Sequence, residues 1–142
     1  MIRVVLDTNL YVSAFFWGGP PRRVLDLARS GACQIVASEA LLNELLDVIS
    51  RSKFTSQLAA INETPDSLLN HEFRGLVEMI EAAEIGPVVL QDADDDPVLA
   101  CALGGKVDYI VSGDNHLLNI GEYHQIPIVT IARFLSRLNS EE

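Results

Sequence analysis

Short apolar runs alternate with amphipathic stretches from one end of the chain to the other. Val4-Val5-Leu6 is continuous, apolar and largely β-branched, the pattern of a strand covered on both faces of a sheet. Comparable runs recur at Gln34-Ile35-Val36, Val88-Val89-Leu90, Asp108-Tyr109-Ile110-Val111 and Ile126-Pro127-Ile128-Val129, so strands are expected at each. Pro127 cannot donate to a ladder, which places the last strand at a sheet edge.

Between these runs the apolar positions take helical spacing. Leu10 to Trp17 predicts a short helix, broken by Gly18-Gly19-Pro20-Pro21. Pro21 suits the first turn of a second helix carrying Val24, Leu25, Leu27 and Ala28, with Gly31 at its end. Ser38 is a good cap for a third, with Leu41, Leu42, Leu45, Leu46 and Ile49 on one face. Thr64-Pro65 opens a fourth, whose apolar face runs through Leu69, Phe73, Leu76, Val77 and Ile80 before Gly86-Pro87. Asp96-Pro97 is a cap and first turn for Val98 to Leu103, apolar nearly all round and hence buried, with Gly104-Gly105 ending it. A helix from Ala132 to Leu138 closes the chain, leaving Asn139 to Glu142 as a frayed tail. Strands alternating with helices predict the α/β class, a three-layer α/β/α sandwich around a mostly parallel sheet. No linker or shift in composition divides residues 1–142, so one domain is expected.

Composition narrows the chemistry. Nearly half the residues are apolar, which is ordinary for a globular domain. No run approaches the roughly 18 apolar residues of a membrane span, and the start lacks a leader's charged-then-apolar layout. A cytoplasmic protein without membrane contact is expected. Cys33 and Cys101 stand apart in apolar surroundings and read as buried free thiols. His71, His116 and His124 show no zinc-like spacing, so neither thiol nor zinc chemistry is expected. The net charge of −10 looks wrong for a nucleic-acid binder, yet a local basic rim is compatible with it.

Four acids share one expected address. Asp7 and Asp114 each follow a short apolar strand, and parallel strands bring their carboxyl ends to one edge of the sheet. The helices that begin after Ser38 and at Asp96 start from the same edge, which brings Glu44 and Asp96 within reach. Each acid also has a plain structural reading. Asp7, Asp96 and Asp114 suit helix caps, and Glu44 lies on the margin of an apolar stripe, where its stem would cover apolar surface. Asp94 and Asp95 rival Asp96, and only the helix start selects the last. Carboxylates held close repel unless a cation intervenes, and oxygen ligation without His or Cys favours Mg²⁺ or Mn²⁺. The reaction class that follows is metal-dependent phosphodiester hydrolysis.

Val5-Leu6-Asp7-Thr8-Asn9, Ser38-x-x-Leu41-Leu42-x-Glu44, Asp94-Asp95-Asp96-Pro97-Val98-Leu99-Ala100-Cys101-Ala102, Asp108-Tyr109-Ile110-Val111-Ser112-Gly113-Asp114 and Ile128-Val129-Thr130-x-x-x-Phe134-Leu135 follow in order. Together they resemble a PIN domain, and more narrowly the VapC-type toxins of bacterial and archaeal toxin–antitoxin systems. The resemblance covers essentially the whole chain. It implies a five-stranded parallel sheet in the order 3-2-1-4-5 and a Mg²⁺- or Mn²⁺-dependent endoribonuclease. It implies Asp7, Glu44, Asp96 and Asp114 as the acidic set, with Asp7 and Asp96 as direct ligands and the other two binding directly or through water. Thr8, Asn9 and Ser112 would orient ligands or waters; Ser112 stands where many relatives have Thr. A cognate antitoxin and a homodimer are the implied partners.

RNA would also need positive residues near the pocket, for which Arg22, Arg23, Arg51 and Lys53 are candidates against a reading as scattered solubilising charge. Phe16 and Trp17 could stack bases, but packing in the core or a subunit interface is the expected role. Two other readings stay in view. A Mg²⁺-dependent phosphatase would need an Asp-x-Asp nucleophile, and Asp7 is followed by Thr8-Asn9. A catalytically inactive PIN-like module that binds RNA or protein would not need all four acids.

Overall fold

The computed structural model of the protein describes residues 1–85 and 96–141. The strand expected at Val88-Val89-Leu90 and the acids Asp92, Asp94 and Asp95 lie outside the described residues, as does the Asp96 side chain.

The first strand, β1 (Arg3–Leu6), leads into α1 (Thr8–Phe16) and α2 (Gly19–Arg29), followed by β2 (Gln34–Ala37) and α3 (Glu39–Ile49). A single 3₁₀ turn (Ser52–Phe54) joins α3 to α4 (Thr55–Ala60). Next come α5 (Pro65–Leu69), a π turn (Asn70–Arg74) and β3 (Val77–Met79). The last part holds α6 (Asp96–Gly105), β4 (Tyr109–Val111), α7 (Asn115–Leu118), β5 (Glu122–Tyr123), β6 (Ile126–Val129) and α8 (Ile131–Glu141).

The sheet runs β3-β2-β1-β4-β6-β5, with every pair parallel except β5 against β6. Alternation along β1 splits the core in two. Val4 and Leu6 join Leu25, Leu42, Phe73 and Phe134 on one face, and Val5 joins Leu99, Cys101, Ile110 and Leu117 on the other. Each face is therefore covered by helices, which is the expected three-layer α/β/α sandwich. Counting β6 as the fifth strand gives the expected order, with Val77–Met79 in the third place where the sequence puts Val88-Val89-Leu90.

Three local expectations change. The helix opened by Thr64-Pro65 stops at Leu69, and the chain passes through Gly75 into β3, so Leu76, Val77 and Ile80 do not extend a helical face. Three strand residues are too few to display a period of two, so the chance i, i+4 spacing reads as helix. Met79 and Glu78 pair with Ala37 and Val36 of β2, and this tertiary pairing decides the conformation.

The second change is a sixth strand. Residues 122–123 fold back on β6, so Pro127 lies opposite Glu122 and its strand is one place in from the edge. The two turn residues, His124 and Gln125, both have positive φ, the arrangement of a tight two-residue hairpin. Neither is Gly or Asn, so the usual sequence signal for that turn is missing. The third change is at the C-terminus, where α8 continues to Glu141 and Asn139 is helical rather than frayed.

Gly104 and Gly105 do more than stop a helix. They form the last turn of α6, and a Cβ on Gly104 would lie 2.3 Å from the Glu81 carbonyl oxygen. The segment after β3 therefore lies directly on α6, anchored by the Ala83 amide donating to the Ala100 carbonyl at 3.0 Å. Below it, the Arg3 guanidinium donates to the Gly105 carbonyl and to Glu78, tying β1 to α6 and β3. No helix among the described residues is long and apolar enough to cross a membrane.

Because the atom that blocks a Cβ at Gly104 is backbone, Gly104→Ala should cost ~3 kcal/mol in urea unfolding, the upper end for overpacking. Gly75→Ala, with nothing near its Cβ, should stay within ~0.5 kcal/mol. Equal stabilities for the two variants would show that the segment over α6 yields freely.

Candidate functional site

The register of the sheet assembles the site. Leu6 pairs with Val111, and Val111 pairs with Val129, so the residues that follow each of them leave the sheet at one level. Those residues are Asp7, Ser112 and Thr130, and Ser38 leaves β2 at the same end. Each of Ser38, Asp7 and Thr130 turns its side-chain oxygen onto the helix that follows. Ser38 Oγ accepts from the Leu41 amide at 3.3 Å, Asp7 Oδ1 from Leu10 at 3.1 Å, and Thr130 Oγ1 from Arg133 at 3.3 Å. The capping role read for Asp7 is therefore real.

It uses only one carboxylate oxygen. Asp7 Oδ2 accepts from the Ser112 hydroxyl and, at 3.3 Å, from the Gly113 amide. Ser112 Oγ in turn accepts from the Asp114 amide at 2.9 Å, so one fully buried hydroxyl links the two acidic segments. Asp114 Oδ1 accepts from the His116 amide at 2.9 Å and caps α7, again as expected.

Asp7 is only 6% exposed. Burial pushes its carboxyl above the ordinary aspartate range, opposed by the bonds from Ser112, Leu10 and Gly113 and reinforced by the Asp114 charge. A carboxylate accepting three hydrogen bonds is usually held low. That it is raised here shows how little solvent reaches it. The donor set is all oxygen, and its negative charge is confined, which is a fit for a hard divalent cation.

The remaining candidates divide. Thr8 is buried in the first turn of α1 beside Asp7, whereas Asn9 is exposed. Glu44 is half-buried on α3, a helix that packs against both α1 and α6 and so stands between the helix of Asp7 and that of Asp96. Asp96 is the first residue of α6, one place inside the cap position that the sequence assigns it. Among the described residues, which exclude the Asp96 side chain, no group of three His, Cys, Asp or Glu converges closely enough to hold an ion. Direct hydrogen bonds join Asp7, Ser112 and Asp114.

Among the described residues, the ion pairs and ring contacts of the basic candidates do not involve Asp7. Arg22 is near Asp26 and Glu72 and Arg51 pairs with Asp47, while Arg23 is exposed and Lys53 sits over the Phe54 ring. Among the described residues neither Arg23 nor Lys53 has an ion-pair partner. His116, set aside in the sequence for want of zinc spacing, has its Nδ1 3.6 Å from Asp114 Oδ1 at the mouth of the site. Its position two residues beyond a strand-exit Asp was the available signal. Both cysteines are free and buried, with burial pushing Cys33 up to about 11 and Cys101 to about 12. Such thiols stay protonated at neutral pH.

A family model described as PIN domain matches residues 3–116, from the first residue of β1 into α7. No curated protein sequence matches the chain.

Two predictions follow from the burial of Asp7. Its folded-state pKa is raised, so its stabilising contribution is complete below the unfolded value and is lost as pH rises through the folded one. In chelator, the melting temperature of Asp7→Asn relative to wild type should therefore climb as pH rises above the ordinary aspartate range. A flat difference would mean that the charge is well solvated. Ser112→Ala removes a hydroxyl that serves a buried carboxylate and should cost about 1.5–3 kcal/mol in chemical denaturation; a loss below 0.5 kcal/mol, the size of an ordinary surface change, would refute the bridging role.

Proposed function

The chain belongs to the PIN domain family, whose members are generally metal-dependent nucleases, and from that premise we propose a Mg²⁺- or Mn²⁺-dependent endoribonuclease. The observation that carries the reading is Asp7, a buried carboxylate hydrogen-bonded through Ser112 to the segment of a second acid, Asp114. A site that confines negative charge, with no cationic side chain bonded to Asp7 among the described residues, suits a cation.

Asp7 and Asp96 are the proposed direct ligands, and Glu44 and Asp114 bind directly or through water. Asp7 and Asp114 each give one oxygen to a helix cap, which fixes the carboxylate plane before any ion arrives. Ser112 holds the second oxygen of Asp7, and Thr8 and Asn9 shape the first turn of α1 around it. A bound divalent ion would polarise the scissile phosphoryl group and make a nucleophile of water at neutral pH. The protein's share is orientation and the exclusion of bulk water from Asp7. Arg22, Arg23, Arg51 and Lys53 are the proposed backbone contacts. Arg23 and Lys53 suit this best, because Arg22 and Arg51 already share their charge with acids.

The narrower role, the toxin of a toxin–antitoxin pair held in check by a cognate antitoxin and acting as a homodimer, rests on the order of motifs along the whole chain. Cytoplasmic RNA is the substrate this role calls for.

The test is cleavage of a mixed RNA pool with Mn²⁺ and with chelator, by wild type and by Asp7→Asn/Asp96→Asn. Cleavage confined to wild type with metal is the expected result, with a loss of at least 100-fold in the variant, on the scale of removing electrostatic stabilisation. Unchanged cleavage by the variant would overturn the ligand assignment. Phosphomonoester turnover without RNA cleavage would point to the phosphatase. RNA or protein binding with no Mn²⁺ affinity by calorimetry would point to the inactive module.

A further inference from the structure

Trp17 is 63% exposed, although burying an indole is among the larger gains a folding chain has available. The sequence favours core or interface packing for this residue, and within the chain the core does not take it. Nor is it loose. Its amide donates to the Ser13 carbonyl at 2.9 Å, closing α1, and its ring touches two others. Phe16 stacks on Phe54 with centroids 5.2 Å apart and planes 18° from parallel. Trp17 meets Phe16 at 84° and Phe54 at 67°, so neither ring lies parallel to the indole. Two phenyl rings thus brace an indole without stacking on it, and most of the indole stays open to solvent.

Charge around this cluster runs against the rest of the chain. Residues 8–25 and 48–62, the two segments that meet at these rings, contain no Asp or Glu and carry four of the ten Lys and Arg. Lys53 Nζ lies 5.1 Å from the centroid of Phe54. Arg51, paired with Asp47, shares the same turn, and Arg22, near Asp26 and Glu72, opens α2 with Arg23 just after Trp17. A second copy of the chain would bring the same cations to the same place. A polyanion with planar rings is complementary to both features at once.

We infer that Trp17 is a base-stacking platform for single-stranded RNA, with Lys53 and Arg23 on the phosphates beside the stacked base. Trp17 stands ten residues from Asp7 along α1, which is about 15 Å at the helical rise. A strand with its scissile phosphate at Asp7 therefore reaches the platform a few nucleotides away, and α1 fixes that spacing. The inference rests on the ribonuclease reading, but its test does not need catalysis.

Trp17 is the only tryptophan, so its emission reports on the platform alone. The experiment titrates short oligoadenylate and oligouridylate into full-length protein in excess chelator, and reads tryptophan emission, acrylamide quenching and the anisotropy of end-labelled RNA. The expected result is quenched emission and shielding from acrylamide. Trp17→Ala should bind RNA roughly tenfold more weakly, and Trp17→Phe should recover much of the loss, as one base–aromatic stack predicts. Mn²⁺ affinity and the melting temperature of Trp17→Ala should match wild type. Cleavage should register the same change as a higher KM.

Unmoved emission with equal RNA affinity in Trp17→Ala would overturn the platform while leaving the nuclease intact. Emission that shifts with protein concentration before RNA is added would assign the indole to a contact between copies instead. Absence of RNA binding by wild type would overturn the platform. If metal-dependent cleavage is absent as well, the ribonuclease reading fails with it.

Discussion

A carboxylate at the exit of the central strand, almost closed to water, sets the terms for the rest of this molecule. Asp7 sits where β1 ends between β2 and β4, and the covering of both sheet faces is what makes its surroundings dry. Left alone, such a charge weakens the fold, because burial disfavours the ionised form more than three hydrogen bonds favour it. The structure retains the cost and organises around it. Ser112 and the Gly113 amide face one oxygen, the first turn of α1 faces the other, and Asp114 lies just beyond. A divalent cation would reverse the sign of the Asp114 contribution, turning neighbouring acids from a liability into a ligand set.

In the proposed site, scaffold and chemistry would share side chains at this edge. Ser38, Asp7, Asp114 and Thr130 each cap a helix, and a parallel sheet brings those caps to a common level. Capping and ligation are therefore compatible roles for one carboxylate, since each has two oxygens. The consequence is a site whose acids are oriented by secondary structure rather than by a cofactor. Substituting them tests both fold and function, which is why stability measured without metal separates the two.

The chain's acidity ceases to be a puzzle once its distribution is considered. Acids gather at the strand exits and on solvent faces, while α1, the start of α2 and the turn after α3 carry none. The net charge of −10 describes the whole chain, whereas the segments that carry Trp17, Arg23 and Lys53 contain no acid. Steering of a polyanion depends on that local field more than on the total.

The sequence by itself determined the fold class, the strands at β1, β2, β4 and β6, and the caps at Asp7, Ser38, Thr64 and Asp114. These are local matters: a run of Val4-Val5-Leu6 has few alternatives, and a Ser or Asp before an apolar helix has a backbone amide waiting for it. What needed the tertiary structure was whatever depends on a partner distant in the chain. Val77–Met79 becomes a strand because β2 offers it a ladder, and β5 forms because His124 and Gln125 accept positive φ to close a hairpin on β6. Gly104 owes its place to the segment lying on α6, which no neighbouring residue announces. At the site, the types and spacing of the acids were legible, but the hydroxyl of Ser112 joining Asp7 to Asp114 depends on the register of β1 against β4. Register is set by the packing of two sheet faces at once, and a single strand carries only half of that information.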